Sequence, residues 1–252
     1  MSLHIIPPER YPEVIGRIAP ECCGAVYPLS VAKGIQSGSI FADDSRKTVL
    51  VRHCCGFAFL FGNAGETELS EIAEMMRNPA PFRRFLLLTE DRQTADRYAP
   101  QRGFVQERRL FFRYDGAAEI PAPPEAAEIT AAILPQLAGS ITPAFSWTEG
   151  EQFLKNGKGY CIIQDGQPAA WAFSAAVSDR EMDIGVETAS AYRRRGLAAK
   201  AVRAMIAYTL AQGKQPVWAC HAGNTASRRL AEALCFRQCG ECITVRYERR
   251  KA

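Results

Sequence analysis

Residues 191–202 read AYRRRGLAAKAV, and this stretch decides the fold of the second half of the chain. Three arginines run into a glycine, and apolar residues then recur at steps of three and four as far as Leu210, which predicts an amphipathic helix. The first N–H groups of a helix lack intrahelical acceptors and carry partial positive charge. Three cations beside them favour an anion site, such as one for a pyrophosphate. The alternative is a solvated basic loop.

The segments around this loop predict a mixed α/β layer. Asn224 is placed to cap a second helix, which carries Leu230 and Leu234. Asp165-Gly166 predicts a tight turn between two strands. The strand patterns of this half cover residues 159–164, 168–177, 181–188, 217–220 and 242–248.

The first half of the chain ends in a similar way. Residues 102–115 (RGFVQERRLFFRYD) have the same shape as residues 234–248 (LCFRQCGECITVRYE), which predicts an internal structural repeat. Between the halves, Pro121, Pro123 and Pro124 lie among alanines and acids and predict an extended linker. The predicted division is an N-terminal α/β domain over 1–115, a linker over 116–128 and a second domain over 129–252.

The composition of the chain limits the classes of function. In 252 residues, 47% are hydrophobic and 23% charged, and the net charge of +4 is too small to indicate a nucleic-acid-binding surface. Nine scattered cysteines do not form a secreted disulfide framework, and no apolar run has the length of a membrane span. No leader pattern is present, so we expect a cytoplasmic protein that binds neither membrane nor nucleic acid. Cys239 and Cys242 enter a strand without a second such pair, so no metal is expected.

Arg193-Arg194-Arg195-Gly196-Leu197-Ala198, after the strand that ends at Thr188, resembles the acetyl-CoA pyrophosphate loop of the GNAT N-acetyltransferase superfamily. Residues 216–236 are similar to the next strand and helix of that superfamily. Trp218 and Cys220, followed by Asn224 and Ser227, resemble the zwittermicin-resistance branch, whose members carry an extra N-terminal domain. The resemblance covers about residues 129–248. In the first half it rests on length and layout. That half lacks an Arg-x-x-Gly-x-Ala element, and its residues 64–72 (AGETELSEI) are acidic, so it is predicted to be a degenerate GNAT-like α/β domain that does not bind CoA in the same way.

The resemblance implies a mixed sheet in which residues 185–188 and 217–220 lie on neighbouring parallel strands that splay apart to admit the pantetheine arm of acetyl-CoA. Backbone groups of the first strand would bind the pantetheine amides like an added strand. The cofactor-binding residues that it implies are Val186, Thr188, Arg193, Arg194, Arg195, Gly196, Leu197, Ala198, Ala199, Asn224 and Ser227.

The reaction implied is direct attack of a primary amine on the thioester, which needs a base for the ammonium group. Glu181, Asp183 and Glu187 share parity on one strand and are expected to point to one face. Glu187 is the first candidate for the base and Asp183 the second, and the alternative is a solvated sheet face. The superfamily often has a tyrosine acid where this chain has Ala231, so that role is vacant or is taken by Ser227, another residue or solvent.

The sequence therefore predicts an N-acetyltransferase that transfers an acetyl group from acetyl-CoA to an amine of a small molecule or peptide. One alternative is a non-catalytic acyl-CoA-binding or regulatory protein with a degenerate active site. Another is a nucleic-acid or partner-binding module that uses the arginines as a phosphate-binding patch. Such a module is expected to carry further basic clusters and to show a steep dependence on salt.

Overall fold

The computed structural model of the protein describes residues 2–81 and 83–249. These residues form two compact units. Unit 1 comprises residues up to Leu110 together with His221–Gly223 and the chain from Gly240 onward, and unit 2 comprises Phe111–Cys220 and Asn224–Cys239. The predicted division at residues 116–128 stays a prediction.

The described residues form both strands and α-helices. The strands are β1 (His4–Ile6), β2 (Gly38–Ala42), β3 (Val49–His53), β4 (Phe57–Phe61), β5 (Leu86–Thr89), β6 (Phe104–Tyr114), β7 (Ala126–Glu128), β8 (Gly159–Gln164), β9 (Gln167–Val177), β10 (Glu181–Thr188), β11 (Gln215–His221) and β12 (Phe236–Tyr247). The α-helices are α1 (Pro12–Ile15), α2 (Val26–Ala32), α3 (Glu66–Arg77), α4 (Arg92–Asp96), α5 (Gly150–Asn156), α6 (Leu197–Ala211) and α7 (Thr225–Ala233). None of these helices is long and apolar enough to cross a bilayer.

In unit 1, β1 to β4 form an antiparallel ladder, and α3 then connects β4 to a parallel neighbour, β5. The second part of β12 pairs antiparallel with β5. Helix α3 buries Leu69, Ile72, Ala73 and Met76, which recur at three- and four-residue steps and pack in one core with Leu87 of β5. This periodic stripe fixes the helix on the sheet.

Unit 2 repeats the same order. Strands β7 to β10 form an antiparallel ladder, and α6 connects β10 to its parallel neighbour β11. The buried stripe of α6 runs from Leu197 to Thr209, and the helix contacts β8, β9 and β10. Along the chain, each parallel pair is followed by a second helix and a long strand, which are α4 and β6 in the first case and α7 and β12 in the second. These strands begin at Phe104 and Phe236. The predicted mixed α/β fold and internal repeat are therefore confirmed.

Two features of the strands were not indicated by the sequence. The Pro/Ala-rich segment ends in β7, which pairs with β8 although its composition carries no strand signal. The polar residues of β10 at every second position would suit a solvated sheet face, but Asp183 is buried together with its neighbours Met182 and Ile184. The reason is that both faces of the strand are covered at this point, so a polar side chain in the pattern does not mark a solvent-exposed face.

A buried histidine ends β3. His53 is completely inaccessible, and its Nδ1 accepts a hydrogen bond from the N–H of Cys55 at 3.1 Å, which leaves the proton of the neutral ring on Nε2. Among the described residues no group pairs with Nε2, and Tyr27 packs edge-on against the ring at 5.2 Å. Because burial disfavours the imidazolium, it lowers the pKa of His53 to about 3.

We expect His53 to make the protein sensitive to acid. Its folded-state pKa lies below its unfolded value, so the unfolded chain binds the extra proton between pH values of about 6.5 and 3. The free energy of unfolding should therefore fall by roughly 1 kcal/mol for each pH unit below about 6.5 from this group alone. Urea unfolding from pH 7 to pH 4 measures this slope. In His53→Asn, whose amide oxygen can replace Nδ1 as an acceptor, the slope should be smaller.

The same substitution at an exposed histidine is the control. His4 lies on β1 with 57% of its side chain exposed, so His4→Asn should leave the acid slope of the parent protein unchanged. Equal slopes for the parent protein and His53→Asn would show that His53 is not the group that titrates on unfolding.

Candidate active site

The parallel strands β10 and β11 separate within unit 2. They pair only at Glu181 with Gln215, Met182 with Pro216, and Asp183 with Val217, although both strands continue. On its other edge β10 stays paired with β9 as far as Thr188. The backbone groups of β10 that face β11 beyond Asp183 therefore have no strand partner among the described residues. Such a free edge can accept an extended ligand in place of a strand.

The arginine loop follows directly from this free edge. Arg194 and Gly196 adopt left-handed conformations, with φ values of 62° and 74°, and the three arginine side chains are exposed. A Cβ placed on Gly196 would meet no atom within 4 Å, so this glycine is required by its φ value and not by a lack of space. Arg193 turns back and donates from Nε to the carbonyl oxygen of Thr188 at 3.3 Å.

The N-terminus of α6 is open to an anion. Gly196 provides no capping side chain, and no acidic residue lies in the first turn. The N–H groups of Leu197, Ala198 and Ala199 therefore have no intrahelical acceptor. Leu197 is buried and anchors the turn, whereas Ala198 and Ala199 are partly exposed and too small to cover the N–H groups.

The corresponding helix of unit 1 differs at this point. Helix α3 also follows a glycine N-cap, Gly65, but its third residue is Glu68, whose carboxylate accepts a hydrogen bond from the N–H of Gly65 at 2.9 Å. Glu66 adds another negative charge in the first turn. The carboxylate of Glu68 therefore occupies the N-terminus of α3, whereas α6 has Ala199 at the same helical position.

A second contact of the arginine loop was not indicated by the sequence. The hydroxyl of Tyr192 donates a hydrogen bond to Oδ2 of Asp165, in the turn between β8 and β9, at 3.1 Å. The guanidinium group of Arg195 lies 5.4 Å from the centre of the Tyr192 ring. The hydrogen bond to Asp165 raises the pKa of Tyr192. The tyrosine thereby links one arginine of the loop to a neighbouring hairpin turn.

Glu187 lies on the free part of β10 and is held by a distant loop. Its Oε2 accepts a hydrogen bond from the N–H of Ile141 at 2.6 Å, and Oε1 lies 3.5 Å from the hydroxyl of Ser140. A Cβ at Gly139 would overlap the carboxylate, so only glycine permits this approach. Trp171 of β9, itself buried, donates to the carbonyl oxygen of Ile141 at 2.8 Å and fixes the loop.

The three predicted carboxylates lie at different points of β10 relative to its pairing with β11. Glu181 pairs with Arg113 at 2.8 Å at the start of β10, and its burial raises its pKa against the opposing effect of the arginine. Asp183 is only 5% exposed and is the last residue of β10 that pairs with β11. Glu187 is the one of the three that lies beyond this pairing.

Asn224 and Ser227 both have structural contacts. Oδ1 of Asn224 accepts a hydrogen bond from the N–H of Ser227 at 3.1 Å, which confirms the predicted N-cap of α7. The hydroxyl of Ser227 accepts from Nε1 of the buried Trp218 at 3.0 Å. Ala231 is completely buried in the same helix, so this position offers no proton donor. Among residues 2–81 and 83–249, no three metal-ligating side chains cluster together.

Comparisons with solved structures show the fold. An N-acetyltransferase-like protein of the GCN5-related type from Streptococcus suis is 20% identical, with a TM-score of 0.73 over 95% of this chain and 99% of that one. A tandem GNAT protein from the clavulanic acid biosynthesis pathway is 9% identical, with a TM-score of 0.61 over 99% of both chains. A GCN5-related N-acetyltransferase from Sphaerobacter thermophilus is 11% identical, with a TM-score of 0.58 over 97% of this chain and 95% of that one.

The sequence itself also matches a family. No curated protein matches it significantly. The family model of the GNAT acetyltransferases matches residues 131–244, which include the free edge of β10, the arginine loop and both helices that follow. Residues 131–244 therefore match the GNAT acetyltransferase family, and the chain as a whole has the fold of the solved GNAT proteins compared above.

Proposed function

We propose that unit 2 binds acetyl-CoA and transfers its acetyl group to a primary amine of a small molecule or peptide. The observation that carries this proposal is the free edge of β10, which leads through the arginine loop to the uncapped N-terminus of α6. An extended amide-containing arm fits the first feature, and a pyrophosphate fits the second. The family match of residues 131–244 supports the same function.

The residues of unit 2 would hold the cofactor at two places. Backbone groups of Val186 and Thr188 would pair with the pantetheine amides along the free edge. The N–H groups of Leu197 to Ala199 would bind the phosphates, and the exposed arginines 193–195 would add charge-assisted hydrogen bonds. Bound there, acetyl-CoA supplies a thioester-activated acetyl group.

Glu187 is proposed as the general base. It lies on the free part of β10, and the N–H of Ile141 holds Oε2 in place. Among the described residues, Oε1 is engaged only by the longer contact to Ser140. That oxygen can take the proton from the ammonium group of the acceptor, directly or through a water molecule, and so produce the nucleophilic amine. Asn224 and Ser227 are proposed to act mainly by shaping the start of α7, because their side chains cap it and contact Trp218.

The buried Ala231 favours a second candidate function, a non-catalytic acyl-CoA-binding protein. It would bind the same ligand at the same residues and transfer nothing. Both proposals therefore predict binding of acetyl-CoA, and only the first predicts transfer of the acetyl group.

We expect acetyl-CoA and CoA to raise the melting temperature of the protein, and ATP at the same concentration to have little effect. A ligand that binds only the folded state stabilises it by about 2.7 kcal/mol at a hundred times its dissociation constant. ATP offers phosphates without the pantetheine arm and is the matched control for anion binding alone. Equal shifts with ATP and CoA, or no shift with any of them, would contradict the acetyl-CoA site.

Release of CoA from acetyl-CoA in the presence of a panel of amines and amino-terminal peptides then separates the two functions. Release that depends on one class of amine supports the acetyltransferase. Binding without release from any member of the panel supports the non-catalytic alternative.

A further inference from the structure

Unit 1 contains a cavity that no step of the proposed reaction uses. Its volume is about 470 Å³, which is within the range of small-molecule sites in proteins. The end of α3, the segment that leads into β5, and the strands β6 and β12 provide its wall. Met76, Phe85 and Tyr247 give part of this wall an apolar surface.

The charged side chains of the cavity are predominantly positive. Among the described residues that line it are four arginines, Arg83, Arg84, Arg109 and Arg246, and one carboxylate, that of Glu107. Nε and Nη2 of Arg246 donate to the two oxygens of Glu107 at 3.2 and 3.3 Å, and this interaction lowers the pKa of Glu107. Oε1 of Glu107 also lies 3.5 Å from Nε2 of His221. The one carboxylate is thus already engaged by Arg246 and His221, and the lining keeps an excess of positive charge.

Two of these arginines are held in place by aromatic packing. The guanidinium groups of Arg84 and Arg109 lie 5.1 and 4.6 Å from the centre of the same ring, that of Phe57. Nε of Arg84 also donates to the carbonyl oxygen of Cys55 at 2.8 Å. Stacking of this kind orients the planar donor group before a ligand arrives, so less entropy is lost on binding. Arg83 is exposed and has no partner among the described residues.

We propose that this cavity binds a small organic anion that carries a carboxylate or a phosphate group on a compact apolar body. The anionic group would receive hydrogen bonds from Arg83 and Arg109, and the body would pack on Met76 and Phe85. His221 also lines the cavity, but it is held by its neighbours: Nδ1 accepts a hydrogen bond from the N–H of Gly223, and Nε2 lies 3.5 Å from Oε1 of Glu107. The site does not depend on acetyl-CoA and goes beyond the function proposed for unit 2.

The methyl groups of the methionines can show where in the protein a small anion binds. The chain has five methionines, of which Met76 lines the cavity while Met182 and Met205 are buried in unit 2. In protein labelled with ¹³C at these methyls, phenylacetate should shift the Met76 signal saturably and leave those of Met182 and Met205 in place. Phenylacetamide, a neutral molecule of the same shape, should bind at least about tenfold more weakly, because it cannot form charge-assisted hydrogen bonds with arginine. Inorganic phosphate tests the anionic group without the apolar body.

An unchanged Met76 signal with both phenylacetate and phosphate would overturn the proposal, and so would equal binding of phenylacetate and phenylacetamide. None of these readouts uses acetyl-CoA. The protein can therefore bind phenylacetate in this cavity without binding CoA in unit 2, and it can bind CoA without binding phenylacetate.

Two neighbouring arginines of β6 provide the matched variants. Arg109→Met should weaken phenylacetate binding at least about tenfold. Arg108→Met should leave it unchanged, because Arg108 pairs with Glu241 at the surface and does not line the cavity. If Arg109→Met does not fold, Arg83→Met carries the test, since that side chain is exposed. Equal weakening in the Arg108 and Arg109 variants would show attraction by net charge alone and would overturn the site.

Discussion

Ala199→Glu should abolish CoA binding and at the same time stabilise the protein. The substitution gives α6 the residue that α3 has at the same helical position, where Glu68 bonds the N–H of its own N-cap. The new carboxylate would occupy the anion position of α6 and repel a pyrophosphate. Loss of two charge-assisted hydrogen bonds corresponds to at least about a hundredfold rise in the dissociation constant. The favourable interaction with the helix dipole should add about 0.3–1 kcal/mol to the free energy of unfolding.

Titration calorimetry with CoA and urea unfolding measure the two effects. The control is Ala211→Glu, the same substitution at the exposed last residue of the same helix. At that end the dipole is reversed, so the control should lose a little stability and keep its affinity for CoA. If Ala199→Glu binds CoA as the parent protein does, the N-terminus of α6 is not the phosphate site, whatever binds along β10.

The features that the sequence predicted well are those that short-range chemistry determines. Helix α6 begins at Leu197, directly after the left-handed Gly196, and Gly213 follows its end with a φ of 68°. Asp165 and Gly166 adopt the two positive φ values that the predicted tight turn needs. Asn224 caps α7 as its residue type favours. In each case a few neighbouring residues contain all the information.

The surroundings of the site could not be predicted in this way. The loop that holds Glu187 lies 46 residues earlier in the chain, and nothing in its sequence indicates a backbone donor for a carboxylate. Asp183 reads as an exposed position of an alternating strand, but it is buried because both faces of β10 are covered there. These properties arise from tertiary packing, which brings distant segments of the chain together. The residues of neither segment, read alone, indicate that the two segments are in contact.

Glu187→Gln should remove most of the acetyltransferase activity without changing the affinity for acetyl-CoA. The glutamine is nearly isosteric, and its amide oxygen can still accept the N–H of Ile141, so the loop at residues 139–141 should keep its place. What the substitution removes is the capacity to take a proton from the acceptor. Loss of a general base lowers kcat by about 10²–10⁴-fold. Steady-state kinetics with a responsive amine measures kcat, and calorimetry measures the dissociation constant of acetyl-CoA.

The matched control is Glu181→Gln, the same change on the same strand. Glu181 is paired with Arg113 at the end of β10 that is joined to β11, so this variant should keep its turnover. Asp183→Asn decides between the two predicted bases, because Asp183 is buried within the paired part of β10. A large loss of kcat in Asp183→Asn together with normal turnover in Glu187→Gln would transfer the role of base to Asp183. Normal turnover in both variants would mean that neither carboxylate takes the proton from the acceptor, and would contradict the proposed base.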